Sequence, residues 1–183
     1  MTFSATRISF SIRLSMAALS LLAGSCVAHA QSTRAVPDVL FDEDKVWSEQ
    51  AVNLPPAPKA ASLIEFAVGP SKTLRFAIDT DSLSIGSDDV VHYTLVATSS
   101  SGVRNVSFEG IRCTTFEIKH YAFGRDDGSW VQSQRNAWSA IQTANQNSAQ
   151  ATLARDFFCR GNAVDGRVPN LLRKFRNESP RFD

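Results

Sequence analysis

The 183-residue sequence is poor in nearly everything that marks a catalyst. It has no Gly-x-Ser-x-Gly elbow, no His-Glu-x-x-His pair, no phosphate-binding loop and no dinucleotide glycine fingerprint. These absences argue against elbow-type hydrolases, zinc peptidases of that motif, and nucleotide or dinucleotide cofactors, so no cofactor is expected. Charge of one sign is missing too. Nineteen Lys and Arg stand against 18 Asp and Glu, without the basic excess a nucleic-acid partner normally requires. No apolar run reaches the roughly 20 residues of a membrane-spanning helix. Histidine and cysteine, at three each, are too few and too scattered to suggest a metal site.

What is present begins with an export signal. Arg7 and Arg13 precede a short apolar run, Leu14 to Leu22, and Ala28-His29-Ala30 has the small-x-small pattern read by a signal peptidase. Residues 1–30 therefore read as a signal peptide cleaved after Ala30. An alternative exit is lipidation of Cys26 in "LLAGSC", although Ala23 and Gly24 are not the usual residues before such a cysteine. Cleavage after Ala30 leaves about 150 residues, one domain's worth of chain. It also leaves two cysteines, Cys113 and Cys159, which in an exported chain read first as a disulfide. A metal-binding or reactive pair would need a Cys-x-x-Cys spacing or a nearby ligand, and neither is there.

Residues 31–61 read as an acidic, proline-rich extended leader. Pro55, Pro56 and Pro58 oppose regular structure, and Asp42, Glu43 and Asp44 lack the spacing of a calcium loop. Phe41 and Trp47 suggest that the leader packs on the domain. From Leu63 the pattern alternates. Ile64, Phe66 and Val68 share one face, then Leu74, Phe76 and Ile78, then Val91, Tyr93, Leu95 and Ala97. "DTDSLSIGSDD" supplies turn residues between the second and third strands. In the next strand Val106 and Phe108 are out of phase with Ile111 and Cys113, so a bulge is expected at Gly110. Phe116 to Phe123 is a further strand, and Asp127-Gly128 predicts a two-residue type I′ hairpin. Leu153 with Phe157 and Ala154 with Phe158 have helical spacing, so Ser148 to Arg160 is expected to be a helix ended by Gly161.

The fold class follows: α+β and mostly β, an antiparallel sheet (a meander or partial sandwich or barrel) over residues 62–161 with one C-terminal helix packed on it. Residues 162–183 carry Arg167, Arg173, Lys174, Arg176 and Arg181 and read as a flexible basic tail, with a possible anionic surface as its alternative partner.

Two classes of function remain. Arg104, Arg112, Lys119, Tyr121, Arg125, Asp127 and Trp130 fall on consecutive strands and the hairpin between them, a candidate surface for stacking on flat groups and clamping anions. Its partner would be an envelope protein or a small ligand. The ordinary alternative is a solvated sheet face with cross-strand ion pairs. The second class is a small periplasmic hydrolase using Glu109, Asp127, His92 or His120. Asp127, in a turn, has no reason for a shifted pKa, and a hydrolytic pair needs two groups in unlike environments. The balance favours a protein that is not an enzyme.

Several stretches, "FDEDKVW", "LPPAP", "FAIDTDSLSIGSDDVVHYTLVATSSSGVRNVSFEGIRC", "HYAFGRDDGSW" and "LARDFFC", resemble the cryptic neisserial protein-like family of exported bacterial proteins. The resemblance runs from about Phe41 to Cys159, and the tail beyond Gly161 matches nothing in it. The family has no assigned activity, so no catalytic residue carries over. The resemblance implies an envelope protein with a signal sequence or a lipid anchor, periplasmic or tethered as an outer-membrane lipoprotein with a structural role. Cys113 in "GIRC" and Cys159 in "DFFC" match its cysteine motifs, while Ala154 stands where an aromatic residue is more usual.

Overall fold

The structure, a computed structural model, describes residues 46–69, 73–142 and 148–178. Cys26, Ala28, Ala30, Phe41 and the Asp42–Asp44 run lie outside the described residues. Lys45–Asp183 forms one compact unit.

Its centre is an open antiparallel meander. β1 (Leu63–Phe66), β2 (Leu74–Ile85), β3 (Val90–Ser99), β4 (Arg104–Arg112), β5 (Glu117–Gly124) and β6 (Trp130–Gln132) lie side by side in chain order, and β7 (Ser139–Ala140) also pairs with β5. Of the arrangements the pattern allowed, this is the meander; the sheet does not close into a barrel.

The alternating apolar residues meet on one face. Phe66, Ile78, Val91, Tyr93, Leu95, Ile111 and Ile118 are buried there beneath Leu153, Phe157, Phe158, Leu171 and Phe175. Helix α1 (Ala149–Thr152) starts where the Ser148 side chain accepts the Ala151 N–H, a normal N-cap. The helical segment then widens into a π-turn over Leu153–Phe158, and the neighbours Phe157 and Phe158 are both buried. The chain leaves the helix two residues earlier than the periodicity predicts. Cys159–Arg160 is strand β8, paired with β9 (Ala163–Val164), and Gly161, at φ 58°, turns this hairpin. The Cys113–Cys159 disulfide, with Cα atoms 5.6 Å apart, ties the end of this segment to the end of β4.

Three further expectations are corrected. Residues 168–178 are not a loose tail: α2 (Val168–Glu178) lays Leu171 and Phe175 into the core, with Phe175 stacked 4.1 Å from Phe157. The arginines drew attention to charge, but two apolar residues four apart set the packing. "DTDSLSIGSDD" is mostly strand, because β2 continues to Ile85 through an irregularity between Asp79 and Ser84. Buried Asp79 accepts the Ser82 N–H there (3.1 Å), and the tight turn waits until Gly86–Asp89. The hairpin after β5 has positive φ at Gly128 only (83°). Gly128 N–H bonds to Arg125 O and Arg125 N–H to Ser129 O, the pattern of a three-residue loop with a glycine bulge rather than type I′.

A last correction concerns Gly110. β3 and β4 pair without interruption from Val90↔Arg112 to Thr98↔Arg104, so β4 has no bulge. The register shift is on β5, where Phe108 faces Ala122 and Glu109 faces His120, leaving Tyr121 as the extra residue. Val106 and Phe108 stay out of phase with Ile111 because the second face of the sheet is covered too.

Candidate functional site

The cover on that second face is the leader. Residues 46–59 have no regular structure, as their prolines require, but they are latched at three places. Trp47 Nε1–H donates to Asp88 O (2.9 Å), and the Asp88 carboxylate accepts the Gln50 N–H (2.8 Å). Glu49 receives both Lys119 Nζ (2.9 and 2.7 Å) and the Tyr121 hydroxyl (2.9 Å). Farther along, Pro55 O accepts Trp130 Nε1–H (2.7 Å).

These contacts decide the fate of the predicted surface. Arg112, Lys119, Tyr121 and Trp130 do converge, but on the protein's own strap. Arg112 lies 4.1 Å from the Trp47 ring centroid and 5.4 Å from that of Trp138, while bonding Thr115 and Glu117. The Lys119 side chain is only 8% exposed and is ion-paired with Glu49 at 2.7 Å. Burial pushes the Glu49 carboxyl up, yet the hydrogen bonds from Lys119 and Tyr121 outweigh it and hold the group below the usual carboxylate range. Burial, reinforced by Glu49, raises the Tyr121 phenol far above its normal value. Arg104 is exposed at the start of β4, and Arg125 and Asp127 sit in the exposed hairpin tip. The Asp127 carboxyl is drawn down by the Ser129 hydroxyl and N–H, not raised as an acid catalyst would require.

The histidines face opposite sides. His92 lies under the strap, 3.4 Å from the Tyr121 oxygen, and burial lowers its pKa. His120 is on the helix face beside Glu109, with its Nε2 3.4 Å from a carboxylate oxygen. Glu109 is enclosed, at 1% exposure, yet amply partnered. It accepts from Tyr93 OH (2.7 Å), Ser107 OH (2.5 Å) and Gln150 Nε2 (3.3 and 3.4 Å). Hydrogen bonding to Glu109 raises the His120 pKa against the opposing effect of burial. Glu109 and His120 are thus the two shortlisted groups that meet, while Asp127 is remote from any such pairing. No group of three or more His, Cys, Asp or Glu suited to a metal ion occurs among the described residues, and no helix among them is long and apolar enough to cross a membrane.

Sequence reasoning missed Glu49 and Asp88, the residues that hold the strap. Glu49 is 70 positions from Lys119, and only the folded sheet reveals the pair; its one local trace is the acidic leader beside Trp47.

An open antiparallel β-meander, covered on one face by helices and on the other by the leader, with a disulfide joining sheet to helical segment, makes this a small, mostly β protein. The model of the CNP1-like family matches residues 42–176, and the chain belongs to that family. The match extends past Gly161 through most of α2, beyond the limit that the motifs suggested. No curated protein and no solved structure matches the chain.

Proposed function

We propose that this is an exported bacterial envelope protein, periplasmic after cleavage at Ala30, that works by binding rather than by catalysis. The observation that carries the export reading is the Cys113–Cys159 bond, since such bonds form and persist in oxidising compartments and are rare in the cytosol. The signal-like start and the resemblance to the cryptic neisserial protein-like family support the same compartment. Binding is favoured over catalysis because Asp127 is solvated in a turn and Glu109 is enclosed by four partners.

The test is an intact mass of the full-length gene product recovered from cell fractions, before and after alkylation. A periplasmic chain starting at Gln31, lighter by the two hydrogens a disulfide removes, is the expected result. A lipid-bearing start at Cys26 in the membrane fraction replaces the soluble reading with the lipoprotein one. A cytosolic chain with both thiols free to alkylate overturns export.

The hydrolase reading keeps one supporting observation, the carboxylate–imidazole contact of Glu109 and His120. Hydrolysis of simple aryl esters that disappears in His120→Asn would favour it; no turnover above buffer would end it.

A further inference from the structure

Beyond the Glu109–His120 contact the sheet opens into a hollow of about 520 Å³, the size of a small-molecule site. His120, Phe123, Val131, Gln132 and Arg135 line it. Phe123 and Val131 are cross-strand partners, and both are large apolar side chains left open to solvent, at 46% and 39%. The His120 ring stacks on Phe123 at 5.8 Å, so the imidazole is held at the margin of this apolar surface. Its Nε2 is turned to Glu109, which leaves Nδ1 without a partner among the described residues. Among the described residues the lining carries no carboxylate, and Arg135 on it is exposed and makes no ion pair.

Among the described residues the charges add up to a local excess of one cation once His120 is protonated. Glu109 balances a protonated His120 from below, and its remaining acceptor capacity is taken by Tyr93, Ser107 and Gln150. Arg135 is then unbalanced, beside an N–H donor and two apolar side chains. We propose that this hollow binds a small amphipathic carboxylate, with its apolar body on Phe123 and Val131 and its carboxylate shared by His120 Nδ1–H and the Arg135 guanidinium. Guanidinium and imidazolium suit a carboxylate, and an apolar floor selects one with a short hydrocarbon body over a bare inorganic anion. The site rests on the reading of the protein as a binder and gives that reading a ligand class.

The charged and titratable groups around His120 are Glu109 on β4, Tyr93 on β3 behind it, and Arg135 after β6; Gln150 on α1 is neutral. Because Glu109 holds the His120 pKa above its ordinary value, affinity is greatest below that raised pKa and declines as the imidazole loses its proton.

Titration calorimetry of the mature chain with hexanoate at about pH 6, against hexanamide as the neutral isostere, tests the site. Saturable hexanoate binding is expected, with hexanamide at least about tenfold weaker. Arg135→Gln and His120→Asn should each weaken hexanoate by about tenfold, and the His120 ring resonances should titrate at higher pH when hexanoate is bound. Arg135 is exposed, so Arg135→Gln keeps the fold even where a His120 variant does not. Absence of saturable binding, equal affinity for the amide, or wild-type affinity in Arg135→Gln overturns the proposal. A periplasmic, disulfide-bonded protein that ignores hexanoate loses only this site; a cytosolic one that binds it loses only the export reading.

Discussion

At Gly110 the sheet has no room for a side chain. A Cβ there would lie 2.9 Å from Tyr121 Cε2 and 3.0 Å from both the Tyr121 oxygen and Val90 Cγ1. The extra residue on β5 sends Tyr121 across this glycine to reach Glu49. Gly110→Ala should therefore cost about 1–3 kcal/mol through overpacking, measured as a lower urea midpoint with an unchanged slope. The two histidines predict opposite pH responses. The folded pKa of His120 lies above its unfolded value of about 6.5, so its contribution to stability is complete below that value and fades as pH rises through the folded pKa. His92 is shifted down; its contribution is present above about 6.5 and fades as pH falls through the folded pKa. Urea midpoints between about pH 5 and pH 8 should flatten on the alkaline side in His120→Asn and on the acid side in His92→Asn. The same slope in both variants would sink this assignment.

Among the elements, the strap and α2 are held by different physics. The strap buries little of its own apolar surface, since Trp47 is still 38% exposed, and it depends on polar latches. Glu49→Gln removes the counter-charge from the nearly enclosed Lys119 and should cost about 1–3 kcal/mol. Its signature would be faster proteolysis at residues 46–59, while the sheet amides keep their protection against hydrogen exchange. Helix α2 is held by Leu171 and Phe175, both fully buried. Phe175 packs against Phe66, Phe157 and Phe158, so Phe175→Ala should cost about 3–5 kcal/mol and lower the thermal midpoint of the whole domain. A change confined to the last residues would mean that α2 is not integral to the core.

For the molecule as a whole, the disulfide sets how far stability depends on compartment. It closes a separation of 46 residues and should contribute about 4 kcal/mol by restricting the unfolded chain. That is a large part of the 5–15 kcal/mol typical of a domain. Reduction, or the Cys113→Ser, Cys159→Ser pair, should lower the denaturation midpoint accordingly; an unchanged midpoint would mean that the sheet and helices suffice alone.

The antiparallel strands, the helical spacing of Leu153, Ala154, Phe157 and Phe158, and the pairing of the only two cysteines after Ala30 were legible in the sequence, because each is a local pattern or a forced choice. The bulge could be sensed from Val106, Phe108 and Ile111 falling out of phase, but its position could not. One covered face would have put it in β4, whereas two covered faces put it at Tyr121. The candidate residues were found, but not what they touch. Glu49 with Lys119, Asp88 with Gln50 and Trp130 with Pro55 are separated by 70, 38 and 75 positions. Likewise, nothing in the chain pattern tells that Glu109 is enclosed while His120 stands at the edge of an apolar hollow. Sequence determines which short segments favour strand, turn or helix, since those preferences act within a few residues. Tertiary structure alone decided that the leader occupies one face of the sheet and leaves the His120 hollow open on the other, because only packing brings distant charges together and sets which of them still meet water.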